Sequence, residues 1–175
     1  IFAGVEVAVA STKAYTAQIA TVMGLVSCVA NEEVKYYKNN LENNACAIEH
    51  ILESTNEYLQ YAHAVLQTSN KAFYIGRQMG YALAMEAALK LKEVSYIQTE
   101  GFAAGELKHG TIALIEEGTP VFAFITDELT AKLTRSNIEE VKARGAKVFV
   151  ISETGLSHTS DDLIIPEINN SSNVL

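Results

Sequence analysis

Short apolar runs alternate with helical segments from residue 72 onwards, and this alternation restricts the fold more than any other feature. Residues 72–75 form an apolar run that ends at Gly76, and residues 121–126 and 148–152 form two similar runs. Such runs are typical of strands buried on both faces, and the segments between them have the period of helices. The pattern therefore predicts an α/β fold with a parallel sheet.

Apolar periodicity also predicts four helices. The last of them begins near Asp127, a residue type that caps helices, and stops at Gly145. The polar residues 31–44 are expected to form a turn region between helices. The helix at residues 79–97 is apolar nearly all round, so we expect it to be buried or to form an interface. The predicted helices cover residues 14–30, 45–66, 79–97 and 129–144.

Two further strands are predicted outside this alternation. Residues 5–9 are short and β-branched, which indicates the end of a strand, and residues 163–165 precede Pro166. The sequence pattern changes near residue 67. We therefore expect residues 1–66 to hold the end of one domain and residues 67–175 to hold most of another.

The charge and composition exclude some classes of partner. The net charge is -8, from 13 Lys and Arg against 21 Asp and Glu, so nucleic acid is not an expected partner. A small anion can still bind, because backbone N–H groups at a helix N-terminus can hold a phosphate. No membrane partner is expected, since the longest apolar run, residues 19–30, is interrupted by polar residues. Two isolated cysteines and the lack of a signal peptide favour a cytoplasmic protein, and the first residue, Ile1, indicates a fragment.

Several well-known site patterns are missing from the sequence. It contains no Walker-type phosphate loop, no glycine-rich dinucleotide fingerprint, no His-Glu-x-x-His pair and no Gly-x-Ser-x-Gly nucleophile. Its four histidines have no ligand-like spacing. We therefore expect neither a metal nor another cofactor.

Glu86, Lys90 and Glu93 are spaced so that a helix places all three on one stripe. One interpretation is an ordinary exposed ion pair between Glu86 and Lys90. The other follows from the apolar character of the helix around them. Charges on a buried helix must be paired or must line a cavity, and such a setting tunes a carboxylate for proton transfer. The spacing alone leaves both interpretations open.

Two loops are further candidate sites. In residues 100–110, three glycines bracket two acids, a lysine and His109, and titratable groups on such loops are often functional. An imidazole can exchange protons near neutral pH, although a surface histidine without a role is the alternative. In residues 9–13, Ser11 and Thr12 either bind an anion or a sugar hydroxyl, or only cap the following helix.

Three blocks together resemble the isomerase region of the glucosamine-6-phosphate synthases, the isomerising glutamine–fructose-6-phosphate aminotransferases. The blocks are residues 9–18, 83–97 and 100–110, and Ala-Gly-Glu-Leu-Lys-His-Gly after Leu-Lys-Glu-Val-Ser-Tyr is the most specific part. The similarity runs through the whole chain and is closest to bacterial members. The resemblance implies two sugar-isomerase (SIS) domains, each a flavodoxin-like parallel sheet between helices. Residues 1–66 would then end the first SIS domain, and residues 67–175 would form most of the second.

The resemblance also implies roles for single residues, on a phosphosugar substrate and without a cofactor. Glu93 would be the base that moves a proton between the first two sugar carbons through an enolamine, and Lys90 would assist at the neighbouring hydroxyl. His109 would aid ring opening in the site of the partner subunit of a homodimer. Val9 and Ser11 match positions that contact the sugar.

The sequence departs from the family pattern mainly by what it lacks. It contains no phosphate loop rich in Ser and Thr, no C-terminal tail with the lysine that forms a Schiff base with fructose 6-phosphate, and no glutaminase domain. The replacements within the blocks, at Ala8, Met85 and Ala87, are small. We therefore expect the chain alone to lack synthase activity and to bind fructose 6-phosphate weakly. Two alternatives stay open: a SIS-domain phosphosugar deaminase or deglycase, and a non-catalytic phosphosugar-sensing domain.

Overall fold

The structure, a computed structural model, describes residues 3–31, 34–54 and 56–167. They form two compact units, of which the first ends at Ser54 and the second extends to Glu167. The expected domain division at residue 67 stays a prediction. No helix in the described ranges is both long enough and apolar enough to cross a membrane.

The first unit contains two helices, α1 (Lys13–Val29) and α2 (Val34–Ser54). The prediction of α1 is confirmed. The expected turn region at residues 31–44 is wrong, because α2 takes up most of it. Residues 45–66, predicted as one helix, belong to α2 and to a separate helix, α3 (Asn56–Leu66), on either side of position 55, which lies outside the described residues.

Packing explains why the polar stretch is helical. Asparagine favours turns locally, because its side chain competes for backbone hydrogen bonds. In α2, however, Asn44 is only 3% exposed, and its amide donates to the carbonyl of Asn40 one turn earlier, at 2.8 Å. The hydroxyl of Tyr37 donates to the carbonyl of Ala20 in α1, at 2.6 Å. These contacts between and within the helices outweigh the local preference.

Residues 5–9 do not form the predicted strand. A strand needs a neighbour that pairs with its backbone, and this segment has none among the described residues; Val7 is 91% exposed. The segment instead precedes α1 and supplies a side chain that caps its first turn. A carboxylate oxygen of Glu6 accepts a hydrogen bond from the backbone N–H of Ala14 at 3.1 Å, whereas Thr12, at the N-cap position, makes no side-chain capping bond.

The second unit is built on a parallel sheet of five strands in the order β2-β1-β3-β4-β5. This is the order of flavodoxin-like folds, so the predicted fold class is confirmed. Four of the five strands were predicted from their apolar runs. The strands are β1 (Lys71–Gly76), β2 (Gln98–Ala103), β3 (Pro120–Ile125), β4 (Lys147–Glu153) and β5 (Leu163–Ile165).

Successive side chains of a strand point alternately into two apolar layers, one on each face of the sheet. Phe73 and Ile75 point into the layer covered by α5 (Glu128–Lys142), where Ile138 and Val141 pack. Ala72 and Tyr74 point into the opposite layer. That layer is covered by α3 and by α4 (Met79–Ser95), a helix that buries Gly80, Ala84 and Ala88. The expectation of a buried α4 therefore holds for one face of the helix only.

β2 is the strand that the sequence did not predict. Residues 100–110 were expected to form a loop, but residues 100–103 belong to β2, and Ala104–His109 is a 3-10 helix, here called η1. β2 lies at the edge of the sheet and pairs with β1 alone. Since only Thr99 of this strand is fully buried, its sequence has no apolar run to reveal it.

Candidate functional site

The polar stripe of α4 (Glu86, Lys90 and Glu93) forms as the spacing predicted. The ammonium of Lys90 donates to Oε2 of Glu93 at 2.8 Å and lies 3.5 Å from Oε1 of Glu86. All three side chains retain about a quarter of their exposure: 26% for Glu86, 25% for Lys90 and 25% for Glu93. The stripe is therefore neither enclosed in the core nor fully in solvent, and both carboxylates have a lysine as partner.

The hydrogen bond from Lys90 to Glu93 raises the pKa of the Lys90 ammonium, with the charge of Glu86 acting in the same direction. Lys90 therefore carries its positive charge at neutral pH. A fixed cation beside a carboxylate can bind an oxygen of a ligand while the carboxylate takes up a proton.

Close backbone contacts fix α4 against the sheet. Gly101 in β2 leaves no room for a side chain, because a Cβ there would lie 2.7 Å from the backbone nitrogen of Met85. One turn further along α4, the hydroxyl of the buried Thr99 donates to the carbonyl of Ala88 at 2.6 Å. The glycine and the threonine of β2 therefore hold the helix at the level of the polar stripe.

His109 lies apart from these contacts. It is the last residue of η1, its side chain is 76% exposed, and its Nε2 atom lies 3.9 Å from a carboxylate oxygen of Glu106. Among the contacts of the described residues, no hydrogen bond or ion pair joins His109 to the polar stripe. The chain thus brings Lys90 and Glu93 together but leaves His109 at the surface.

Val9 and Ser11 belong to the first unit, in the irregular segment before α1. Val9 is 87% exposed and Ser11 is half-buried. Their proposed contact with a sugar stays a prediction.

A second polar cluster was missed by the sequence analysis. The guanidinium of Arg135, on α5, donates to both carboxylate oxygens of Asp161 at 2.9 and 2.7 Å. Oδ2 of Asp161 also accepts from the hydroxyl of Ser152 and from the backbone N–H of His158. Burial opposes the charge of Asp161, but these bonds prevail and hold the pKa of its carboxyl well below the usual range. Arg135 and Asp161 are 26 positions apart, so no local sequence pattern predicts their contact.

Two cavities of the second unit lie away from the polar stripe. One, of about 390 Å³, lies beside α5 and is lined in part by Arg135 and Asp161. The other, of about 770 Å³, is lined mainly by apolar side chains of α3, α4 and the sheet. Neither is lined by a residue of the polar stripe. Within the described ranges, no group of three or more His, Cys, Asp and Glu side chains is arranged to hold a metal ion.

Comparison with known proteins defines the class to which this fold and site belong. Residues 65–168 match the family model of the SIS domain. The match covers more than half of the chain, and the chain belongs to the SIS domain family.

Curated relatives narrow the comparison. The isomerizing glutamine–fructose-6-phosphate aminotransferase of Streptococcus pneumoniae R6 is 51% identical over 175 residues. The protein of the same name from Bacillus subtilis 168 is 49% identical over 173 residues. Each alignment covers 97% of this chain and 29% of the relative, so the chain spans less than a third of their length and corresponds to a fragment of their SIS region.

Solved structures share this fold. The C-terminal domain of the glucosamine-fructose-6-phosphate aminotransferase from Francisella tularensis has a TM-score of 0.81 at 28% identity, over 98% of this chain and 50% of that one. A glucosamine-6-phosphate deaminase from Thermotoga maritima has a TM-score of 0.63 at 19% identity, over 95% of this chain and 48% of that one. At such low identity the second likeness shows the fold alone.

Proposed function

We propose that this chain is part of the isomerase half of an enzyme that converts fructose 6-phosphate and glutamine to glucosamine 6-phosphate and glutamate. The observation that carries the proposal is the Lys90–Glu93 pair at 2.8 Å on a partly exposed stripe of α4, in a chain about half identical to aminotransferases of that name. A general base next to a fixed cation is the arrangement that a ketose–aldose isomerisation needs.

In the proposed reaction, Glu93 takes a proton from C1 of a sugar that carries nitrogen on C2. C2 is the carbon of a protonated imine, so the electron pair of the broken C–H bond forms the C1=C2 double bond of an enolamine while the C=N π pair moves onto the nitrogen. The same carboxyl group then returns its proton to C2, and the hydroxyl on C1 loses its proton to solvent as the C1 aldehyde forms. Lys90 holds the neighbouring hydroxyl oxygen, and Val9 and Ser11 contact the sugar. His109, on the surface of its own subunit, aids ring opening in the site of a partner subunit.

Several wider features belong to the same proposal. The chain would comprise the end of one SIS domain, residues 1–66, and most of a second, residues 67–175. The complete enzyme would be a cytoplasmic homodimer that supplies amino sugars. The chain alone would have no synthase activity. Equilibrium titration with fructose 6-phosphate is expected to give a dissociation constant of about 1 mM or higher.

The test is Glu93→Gln in the complete enzyme. Glutamine keeps the size of the side chain but cannot accept the proton, so glucosamine 6-phosphate formation is expected to fall about 100- to 10,000-fold while glutamine hydrolysis persists. The matched control is Glu139→Gln, because Glu139 forms an i,i+3 pair with Lys142 at 3.2 Å on a different helix. Isomerisation at the normal rate in Glu93→Gln would show that Glu93 is not the base.

The same assay separates the alternatives. A deaminase or deglycase would turn over its phosphosugar without glutamine, and a sensing domain would show no turnover that depends on Glu93. Product formation that requires both glutamine and Glu93 supports the aminotransferase.

A further inference from the structure

The turn after β1 is connected to η1 by a chain of polar contacts that the proposed mechanism does not use. Arg77 directly follows β1, and its Nε and Nη2 atoms donate to Oδ1 of Asn137 at 3.1 and 3.0 Å. The amide nitrogen of Asn137 lies 3.2 Å from Oε2 of Glu140, to which it donates. The other oxygen of Glu140 lies 2.9 Å from the ammonium of Lys108. Lys108 is the residue before His109, so the chain of contacts ends beside the imidazole.

Arg77 also touches η1 directly. A Cβ at Gly105 would lie 3.0 Å from Nη1 and 3.1 Å from Nη2 of Arg77, so the absence of a side chain leaves the space in which the guanidinium lies. η1 is therefore contacted at two places. Near its beginning the guanidinium lies against Gly105, and near its end Lys108 is bonded to α5.

The buried Asn137 makes this chain of contacts stronger than the exposed Lys108–Glu140 ion pair would be alone. Lys108 is 66% exposed, and an isolated pair at such exposure adds little. Its partner Glu140, however, is held by Asn137, which is 5% exposed and is in turn held by two donors of Arg77. The hydrogen bond from Lys108 holds the pKa of Glu140 below its usual value, and the hydrogen bond from Asn137 adds a smaller effect in the same direction.

His109 itself has no comparable support. Its side chain is mostly exposed, and its one described partner, Glu106, is mostly exposed as well. The place of the imidazole is therefore decided by the backbone of η1. A catalytic group that is displaced by about 1 Å can lose a hundredfold in rate.

We propose that Arg77 is a positioning residue which, through Gly105, Asn137 and Glu140, fixes η1 and with it the place of His109. The inference rests on the proposed function, because His109 takes its role from there. Arg77 acts on the reaction only through His109 and does not touch the substrate.

The first test compares kinetics of the complete enzyme. Arg77→Gln is expected to lower kcat for glucosamine 6-phosphate formation about 10- to 100-fold, with KM for fructose 6-phosphate changed less than about twofold. Gly105→Ala would place a Cβ 3.0 Å from Nη1 of Arg77 and so displace the guanidinium; it is expected to lower kcat in the same way and serves if Arg77→Gln does not fold. The matched control is Lys142→Gln, which removes an exposed cation of α5 whose described ion pair is with Glu139 on the same helix.

The second test does not depend on turnover. Hydrogen exchange of peptides that cover η1 is expected to be about tenfold faster in Arg77→Gln than in the native enzyme and unchanged in Lys142→Gln. A rise in KM at unchanged kcat would overturn the inference, because Arg77 would then bind substrate. Native kinetics and native exchange in both Arg77→Gln and Gly105→Ala would overturn it as well.

A further variant separates this inference from the proposed function. If His109→Asn lowers kcat but Arg77→Gln does not, the inference fails and the proposed function stands. If His109→Asn leaves kcat at the native value, the proposed role of His109 fails. The exchange of η1 in Arg77→Gln then still decides whether Arg77 holds this segment.

Discussion

Two clusters of charged side chains in the second unit are built in opposite ways. In the polar stripe, Lys90 and Glu93 are each 25% exposed, and no described hydrogen bond uses Oε1 of Glu93. In the other cluster, the side chain of Asp161 is 1% exposed, and both of its oxygens accept from Arg135. One carboxylate oxygen of Glu93 accepts no described hydrogen bond, whereas both carboxylate oxygens of Asp161 accept hydrogen bonds from within the fold.

This difference separates a candidate catalytic carboxylate from a structural one. Both clusters pair an acid with a base, so charge alone does not distinguish them. Exposure and the number of acceptor sites already used do distinguish them, because a proton acceptor must be reachable by its substrate. Accordingly, changes in the Asp161 cluster should affect stability, and changes in the polar stripe should affect turnover.

The largest effect on stability is expected for Asp161→Asn. The substitution leaves the guanidinium of Arg135, which is 20% exposed, without its counter-charge, so the free energy of unfolding should fall by about 3–5 kcal/mol. Urea unfolding of the chain measures it. The control is Asp127→Asn, which keeps the N-cap of α5 and should cost less than about 0.5 kcal/mol. Equal losses in both variants would contradict the distinction.

For the polar stripe, Lys90→Met should affect turnover and leave the melting curve nearly unchanged. Methionine keeps the length of the stem but removes the cation that we propose holds a ligand oxygen, so kcat of the complete enzyme should fall about 100- to 1,000-fold. The assignment of the polar stripe to turnover would be wrong if Lys90→Met melts far below the native protein while its folded fraction keeps the native activity.

The stability that the Asp161 cluster contributes should also depend on pH, with a smaller effect. Because the pKa of Asp161 is lowered in the folded state, its contribution to stability is fully present above the unfolded value of about 3.9 and is lost as the pH falls below it. The stability difference between the native chain and Asp161→Asn should therefore shrink from pH 5 towards pH 2 in urea unfolding. A constant difference across this range would contradict the assigned ion pair.

Features that depend on neighbours along the chain could be predicted from the sequence. β1, β3 and β4 follow from apolar runs, and the polar stripe follows from a spacing of i, i+4 and i+7, because a helix fixes that geometry without help from the rest of the fold.

Features that depend on distant partners could not be predicted in this way and follow from the folded arrangement of the chain. β2 is a strand because it pairs with β1, and residues 5–9 are not a strand because no described strand pairs with them. The contact of Arg77 with Asn137 joins positions 60 residues apart. The physical reason is common to all three cases. Backbone pairing and side-chain contacts between distant segments depend on which surfaces the fold brings together, and local periodicity does not predict which surfaces these are.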